Sequence, residues 1–115
     1  MGLEPPREPD RPPSPPPQGD SIDVRKTVTY SGRVQGVGFR ATTAGVAKRF
    51  SVEGFVENRK DGTVRLVAEG DPEEVDLFLI SVGQRLATQI AAAEVSESIA
   101  TGEFRRFFIK RTHFF

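Results

Sequence analysis

Ser31-Gly32-Arg33-Val34-Gln35-Gly36-Val37-Gly38-Phe39-Arg40 joins two runs of different periodicity. Upstream, Val24 to Gly32 alternates, with Val24, Lys26, Val28 and Tyr30 on one face, and predicts a strand in which Lys26 interrupts the apolar side near one end. Downstream, Phe39, Thr43, Val46, Ala47 and Phe50 recur at helical spacing and predict one buried stripe. The unit is therefore strand, glycine-rich loop, helix. Glycines let backbone amides curl inward and approach a ligand that a Cβ would obstruct. Amides converging at a helix N-terminus, with an arginine beside them, form an oxyanion site in which the guanidinium can clamp a phosphate. The stretch predicts a site for a small phosphorylated anion.

The glycine spacing narrows that prediction. Four residues after Gly32 come Val37, Gly38 and Phe39, where a Walker A loop needs Gly-Lys-Ser/Thr. Gly32, Gly36 and Gly38 also do not follow the dinucleotide pattern G-x-G-x-x-G. Nucleoside triphosphates and NAD lose support.

Working outward, Glu53 to Arg59 is β-prone, Lys60-Asp61-Gly62 supplies a turn, and Thr63 to Glu69 returns as a strand with Val64, Leu66 and Ala68 inward. Asp71-Pro72-Glu73-Glu74 is a helix start: a capping carboxylate, proline at the first helical position, and two glutamates at the positive dipole end. Val75, Phe78, Leu79, Val82 and Leu86 continue that helix. Ala91, Ala93 and Val95 alternate weakly, and Phe104 to Lys110 predicts a final aromatic strand. The order β-α-β-β-α-β plus an end strand predicts an α+β fold, a ferredoxin-like two-layer sandwich with an antiparallel sheet and two helices on one face.

The first part of the chain has a different character. Of nine prolines in the 115 residues, eight precede residue 18, and Leu3 is the sole sizeable apolar side chain before Ile22. Such a segment cannot bury enough surface to offset its ordering entropy, so residues 1–23 are expected to form a disordered Pro-rich arm and 24–115 one folded domain. Spacings such as Pro12-Pro13-Ser14-Pro15 can dock an aromatic groove, although short proline spacings arise easily in biased sequence. Net charge is zero, but the arm carries Arg7 and Arg11 against Glu4, Glu8, Asp10, Asp20 and Asp23. The remainder holds fourteen basic against eleven acidic residues, an excess that suits a small anion and falls short of a nucleic-acid-binding face.

Without cysteine there are no disulfides, thiol nucleophiles or thiolate metal sites. The N-terminus lacks the apolar core of a signal peptide, and position six is Pro6 where a myristoylation signal has Ser or Thr. A cytoplasmic protein with no membrane partner is expected. The sole histidine, His113, lies close to the C-terminus, which disfavours a His-rich metal site and Ser–His catalysis. Phe104, Phe107 and Phe108 could imitate an RNA-stacking sheet, but no RNP-like run accompanies them and core packing is the expected use.

Gly32 to Arg40, followed by Gly54-Phe55-Val56-Glu57-Asn58 and Asp61-Gly62-Thr63-Val64, closely resembles the acylphosphatase family, with the likeness running from about Lys26 to Lys110. The resemblance implies a monomeric hydrolase that splits the carboxyl–phosphate bond of acyl phosphates without metal or cofactor. It implies that Arg40 binds the phosphoryl group and that Asn58 holds the attacking water. Backbone amides of Arg33, Val34, Gln35, Gly36, Val37, Gly38 and Phe39 would form the cradle. Read from the residues alone, the favoured role of Asn58 is to start the turn before Lys60, a common role for Asn. Arg40 alone could make an ordinary surface ion pair. The alternative function is a non-catalytic phosphate or carbamoyl-phosphate binding module, against which the absence of a further domain after Phe115 counts. The sequence departs from the family at Phe55, where many members have tryptophan, and at Ala41, where the residue is often larger.

Overall fold

A computed structural model describes residues 22–111. Most of the Pro-rich arm, and His113, lie outside the described residues. Seven elements follow in chain order: β1 (Val24–Gly32), α1 (Phe39–Ala47), β2 (Val52–Asn58), β3 (Val64–Gly70), α2 (Pro72–Arg85), β4 (Ile90–Ile99) and β5 (Phe107–Ile109). The sheet order is β4-β1-β3-β2-β5. The first four strands pair antiparallel, as expected of a ferredoxin-like sandwich, whereas β5 runs parallel to β2. That direction follows from the connection: residues 100–106 pass from the end of β4 across to the far edge of the sheet, so the chain re-enters beside the start of β2.

One face of the sheet carries both helices. Val28 and Tyr30 of β1, Val52 and Val56 of β2, and Val64, Leu66 and Ala68 of β3 share a parity and meet Phe39, Val46, Val75, Phe78 and Val82 of the helices in one core. The stripes of β1, β3 and the two helices are those predicted by spacing, whereas none is predicted for β2 and Val52 lies outside its expected range. Phe78 is fully buried, and its loss would cost about 3–5 kcal/mol. Lys26, which interrupts the apolar face of β1, reaches Asp76 of α2 at 2.6 Å and Glu97 of β4 at 3.5 Å.

The other face of the sheet is held by aromatics. Phe55 packs on Phe104 and Phe108 with centroids 5.6 and 6.0 Å away, while Phe107 turns to the helix side and meets Phe78 at 5.3 Å. The final aromatic run thus serves both faces, and its strand is shorter than Phe104 to Lys110. β4 is longer than its weak alternation implies, and Ala91 to Ile99 are all exposed, because α2 does not extend over this edge.

The crossing segment is pinned by a buried carboxylate. Glu69, 2% exposed, accepts from Arg25 Nε at 2.6 Å, from the Thr101 amide at 2.9 Å and from the Gly102 amide at 3.0 Å. Burial pushes its carboxyl up, but the amide of Thr101, the Arg25 guanidinium, the amide of Gly102 and the Thr101 hydroxyl outweigh that and hold it below the usual glutamate range. Arg25 lies directly across the β1–β3 ladder from Glu69 and also binds Glu103 at 2.7 Å.

Candidate functional site

The loop between β1 and α1 owes its shape to two glycines. Gly36 and Gly38 adopt φ of 78° and 80°, a region that L side chains rarely occupy. A Cβ on either would meet nothing within 4 Å, so conformation rather than space requires glycine there. Val34 and Phe39 anchor the loop ends in the core, the latter against Tyr30 with centroids 5.1 Å apart.

The two helix starts contrast. α2 follows the rules of capping: Asp71 accepts from the amides of Glu73 and Glu74 at 3.0 and 3.4 Å, Pro72 opens the helix, and acidic residues fill the first turn. α1 breaks them. Its N-cap is Gly38 in the left-handed region, no side chain caps it, and its first turn contains no acid but does contain Arg40. A cation beside unsatisfied amides at the positive end of the dipole is unfavourable by itself and favourable with an anion between them.

Asn58 ends β2 opposite Val64 of β3, half-buried. The turn beyond it is built by Asp61, whose carboxylate accepts from the amide and hydroxyl of Thr63 at 3.0 and 2.6 Å, so that it titrates below the usual range. Gln35 ties the loop to this hairpin: its Nε2 donates to the carbonyls of Arg59 at 2.8 Å and Thr63 at 2.9 Å.

Arg40 and Asn58, far apart in the chain, line one cavity of about 480 Å³ together with Gly36 and Gly38. Val34 and Phe39 complete its inner wall and Ala41 lies on its rim. The other three expected cradle residues do not line it. The Arg33 amide donates to the Gln89 carbonyl at 2.9 Å and is turned toward β4, Val37 packs against the core, and Gln35 acts through its side chain on the hairpin. Two lining residues escaped the sequence reading, Ile109 and Arg111. Phe107, Ile109 and Arg111 alternate in step with Val56 and Asn58, but only the pairing of β5 with β2 shows it.

The cavity wall contains no carboxylate among the described residues. Among the described residues neither Arg40 nor Arg111 has an acidic partner within ion-pair distance. Glu57, next to Asn58 in the chain, points to the other face and lies 3.9 Å from Lys110. A larger cleft of about 680 Å³ lies at the opposite end of the sheet, where Asp23, Glu53 and Asp71 mix with Lys48, Arg105 and Arg106. Mixed charge gives it no preference for an anion. The small cavity is the one in which the uncapped helix start meets Arg40.

A two-layer α+β sandwich whose first helix starts, uncapped, from a glycine loop beside an arginine is a small ferredoxin-like domain. Residues 26–109 match the acylphosphatase family. An acylphosphatase of Methylococcus capsulatus is 44% identical over 89 residues, covering 76% of this chain and 96% of that protein. The crystal structure of acylphosphatase from Bacillus subtilis superposes with a TM-score of 0.68 at 30% identity, covering 76% of this chain and 98% of that one. HypF of T. kodakarensis gives a TM-score of 0.68 at 26% identity over 78% of this chain, which corresponds to 12% of HypF. The chain belongs to the acylphosphatase family.

Proposed function

We propose that the cavity hydrolyses the carboxyl–phosphate bond of acyl phosphates, releasing a carboxylate and inorganic phosphate. The observation that carries this reading is the meeting, in one cavity that no carboxylate lines among the described residues, of an uncapped helix start bearing Arg40 with the strand-end amide of Asn58.

The phosphoryl group is dianionic near neutral pH and carries three acceptor oxygens. Arg40 covers two of them as a planar fork, and amides of Gly36, Gly38 and Phe39 cover the third. Asn58 offers both a donor and an acceptor without adding an anion, which suits it to orient a water. The water oxygen forms a bond to phosphorus as the bond from phosphorus to the acyl oxygen breaks. The carboxylate leaves with the electron pair, and the water proton passes to a phosphate oxygen. A carboxylate is a good leaving group, so alignment and charge neutralisation supply most of the catalysis.

The test is turnover of benzoyl phosphate in excess EDTA, in water enriched in oxygen-18. Label is expected in the phosphate; activity that appeared only with added metal would overturn the mechanism. Arg40→Gln should lower the rate about 1000-fold and weaken phosphate binding. Asn58→Ala should lower the rate about 100-fold with phosphate affinity retained. A second reading is capture of phosphate or carbamoyl phosphate without hydrolysis, since an uncapped helix start beside an arginine suits an anion whether or not a water attacks it. Tight phosphate binding without benzoyl phosphate turnover would select it.

A further inference from the structure

We propose that Arg111 is a second phosphoryl-binding cation, gripping the same group as Arg40 from the β5 side of the cavity. This rests on the acyl-phosphate reading above. The parallel ladder pairs Gly54 with Phe107, Phe55 with Phe108 and Val56 with Ile109, and the Lys110 amide continues it by donating to the Val56 carbonyl at 2.9 Å. One step further brings Arg111 level with Asn58. Alternation then fixes the side. Phe107 faces the helices, where it meets Phe78, while Lys110 lies over the Phe55 ring on the other face, 4.7 Å from its centroid. Arg111 therefore emerges on the helix side, where it lines the cavity with Arg40.

Its target follows from geometry and charge. In-line displacement sends the leaving carboxylate away from the water, hence away from Asn58 and from Arg111 beside it. The guanidinium meets the phosphoryl oxygens, not the acyl tail. Arg40 supplies one positive charge and the start of α1 about half of one, which leaves a dianion short by about half a charge. A second guanidinium closes that gap, and among the described residues no acid on the cavity wall competes for it. In the empty cavity the two cations repel, so the pair favours the dianion over a monoanion of the same shape.

The test uses the full chain and inorganic phosphate as probe. Arg111→Gln is expected to weaken phosphate binding by calorimetry about tenfold, a modest figure because the side chain is exposed at the rim. KM for benzoyl phosphate and for 4-carboxybenzoyl phosphate should rise by the same factor. Arg111→Lys should recover part of the loss, and Lys110→Gln, which removes the neighbouring charge on the other face, should change phosphate affinity less than twofold. Unchanged phosphate affinity in Arg111→Gln, with an unchanged melting temperature, overturns the proposal. A loss confined to 4-carboxybenzoyl phosphate also overturns it, since the guanidinium would then hold the acyl tail. Phosphate binding is read without turnover, so an inactive wild type would sink the hydrolytic reading and still leave Arg111 tested.

Discussion

Replacing Gln35 by alanine tests whether the anion loop and the strand end that carries Asn58 are held at a fixed separation. The Gln35 amide sits between Val34 and Gly36 in the loop and donates to two carbonyls of the hairpin, Arg59 at 2.8 Å and Thr63 at 2.9 Å. The Thr63 carbonyl already accepts the Arg59 amide at 2.8 Å, so its loss of Gln35 leaves it paired, while the Arg59 carbonyl keeps the Gly62 amide at 3.1 Å. No buried acceptor is orphaned, and the loss reduces to two neutral hydrogen bonds of about 1 kcal/mol each. Solvent at this half-exposed position recovers part of that, so unfolding free energy should fall by about 1–2 kcal/mol. For a domain of this size that is a melting temperature lower by about 5–10 °C. The rate should suffer more than the fold. A displacement of about 1 Å between reacting groups costs on the order of 100-fold, so kcat for benzoyl phosphate at 25 °C is expected to drop between tenfold and 100-fold. On the proposed reading phosphate affinity rests on the loop amides, Arg40 and Arg111, and should change less than threefold. Gln35→Glu should be worse than alanine, because it turns acceptor oxygens toward two carbonyls. A variant with the expected loss of stability but wild-type kcat would refute the positioning argument. One with unchanged stability would refute the hydrogen bonds themselves.

Three further expectations concern the scaffold. Glu69→Gln should lower unfolding free energy by roughly 3 kcal/mol in urea titrations at neutral pH, because Arg25 and the amides of Thr101 and Gly102 lose the anion they all face. Since the folded carboxyl titrates below its ordinary range, its contribution is present at neutral pH and is lost as pH falls through the folded value; the gap between wild type and Glu69→Gln should therefore narrow in acid. Gly54→Ala should cost about 4 kcal/mol or prevent folding, since a Cβ there would lie 1.9 Å from the Val67 carbonyl oxygen at a φ of 143°; a cost under 1 kcal/mol in the urea midpoint would contradict the close approach of β2 and β3. Thr43→Val should raise stability by about 1 kcal/mol by removing a buried hydroxyl that has no hydrogen-bond partner among the described residues; a lower melting temperature would show that the hydroxyl is satisfied.

What could be read from the chain depended on how local the cause was. The buried stripe Phe39, Thr43, Val46, Ala47 and the series Val75, Phe78, Val82 need nothing but helical spacing, and both appear in the core. The hairpin turn was legible because Asp61 folds back on its near neighbour Thr63. Features set by distant partners were not legible. Glu69 alternates like an outward strand residue, and its burial depends on Arg25 and Thr101, 44 and 32 positions away. The direction of β5 depends on that same latch, since the crossing it fixes decides beside which strand the chain re-enters. Arg111 was hidden for this reason: a residue past the last strand has no face until the strand has a partner.

The candidate site, by contrast, was announced by its failure to follow local rules. Compare the two helix starts. At α2 every choice agrees: a capping aspartate, a proline at the first position, two glutamates toward the dipole. At α1 the cap is a glycine in the left-handed region and the charge in the first turn has the wrong sign. Nothing in the packing asks for this, since Gly36 and Gly38 face open space and Arg40 has no acidic partner among the described residues. That one helix is capped correctly and the other is left uncapped beside a cation supports the proposal that this end receives an external anion. Asn58 carries no such mark, because asparagine before a turn satisfies local rules as well as it would serve a water. Its assignment rested on resemblance, and what the structure adds is that the same cavity receives it. Asn58→Ala separates the two roles: lost stability with retained turnover belongs to the turn, and lost turnover with retained phosphate affinity belongs to the water.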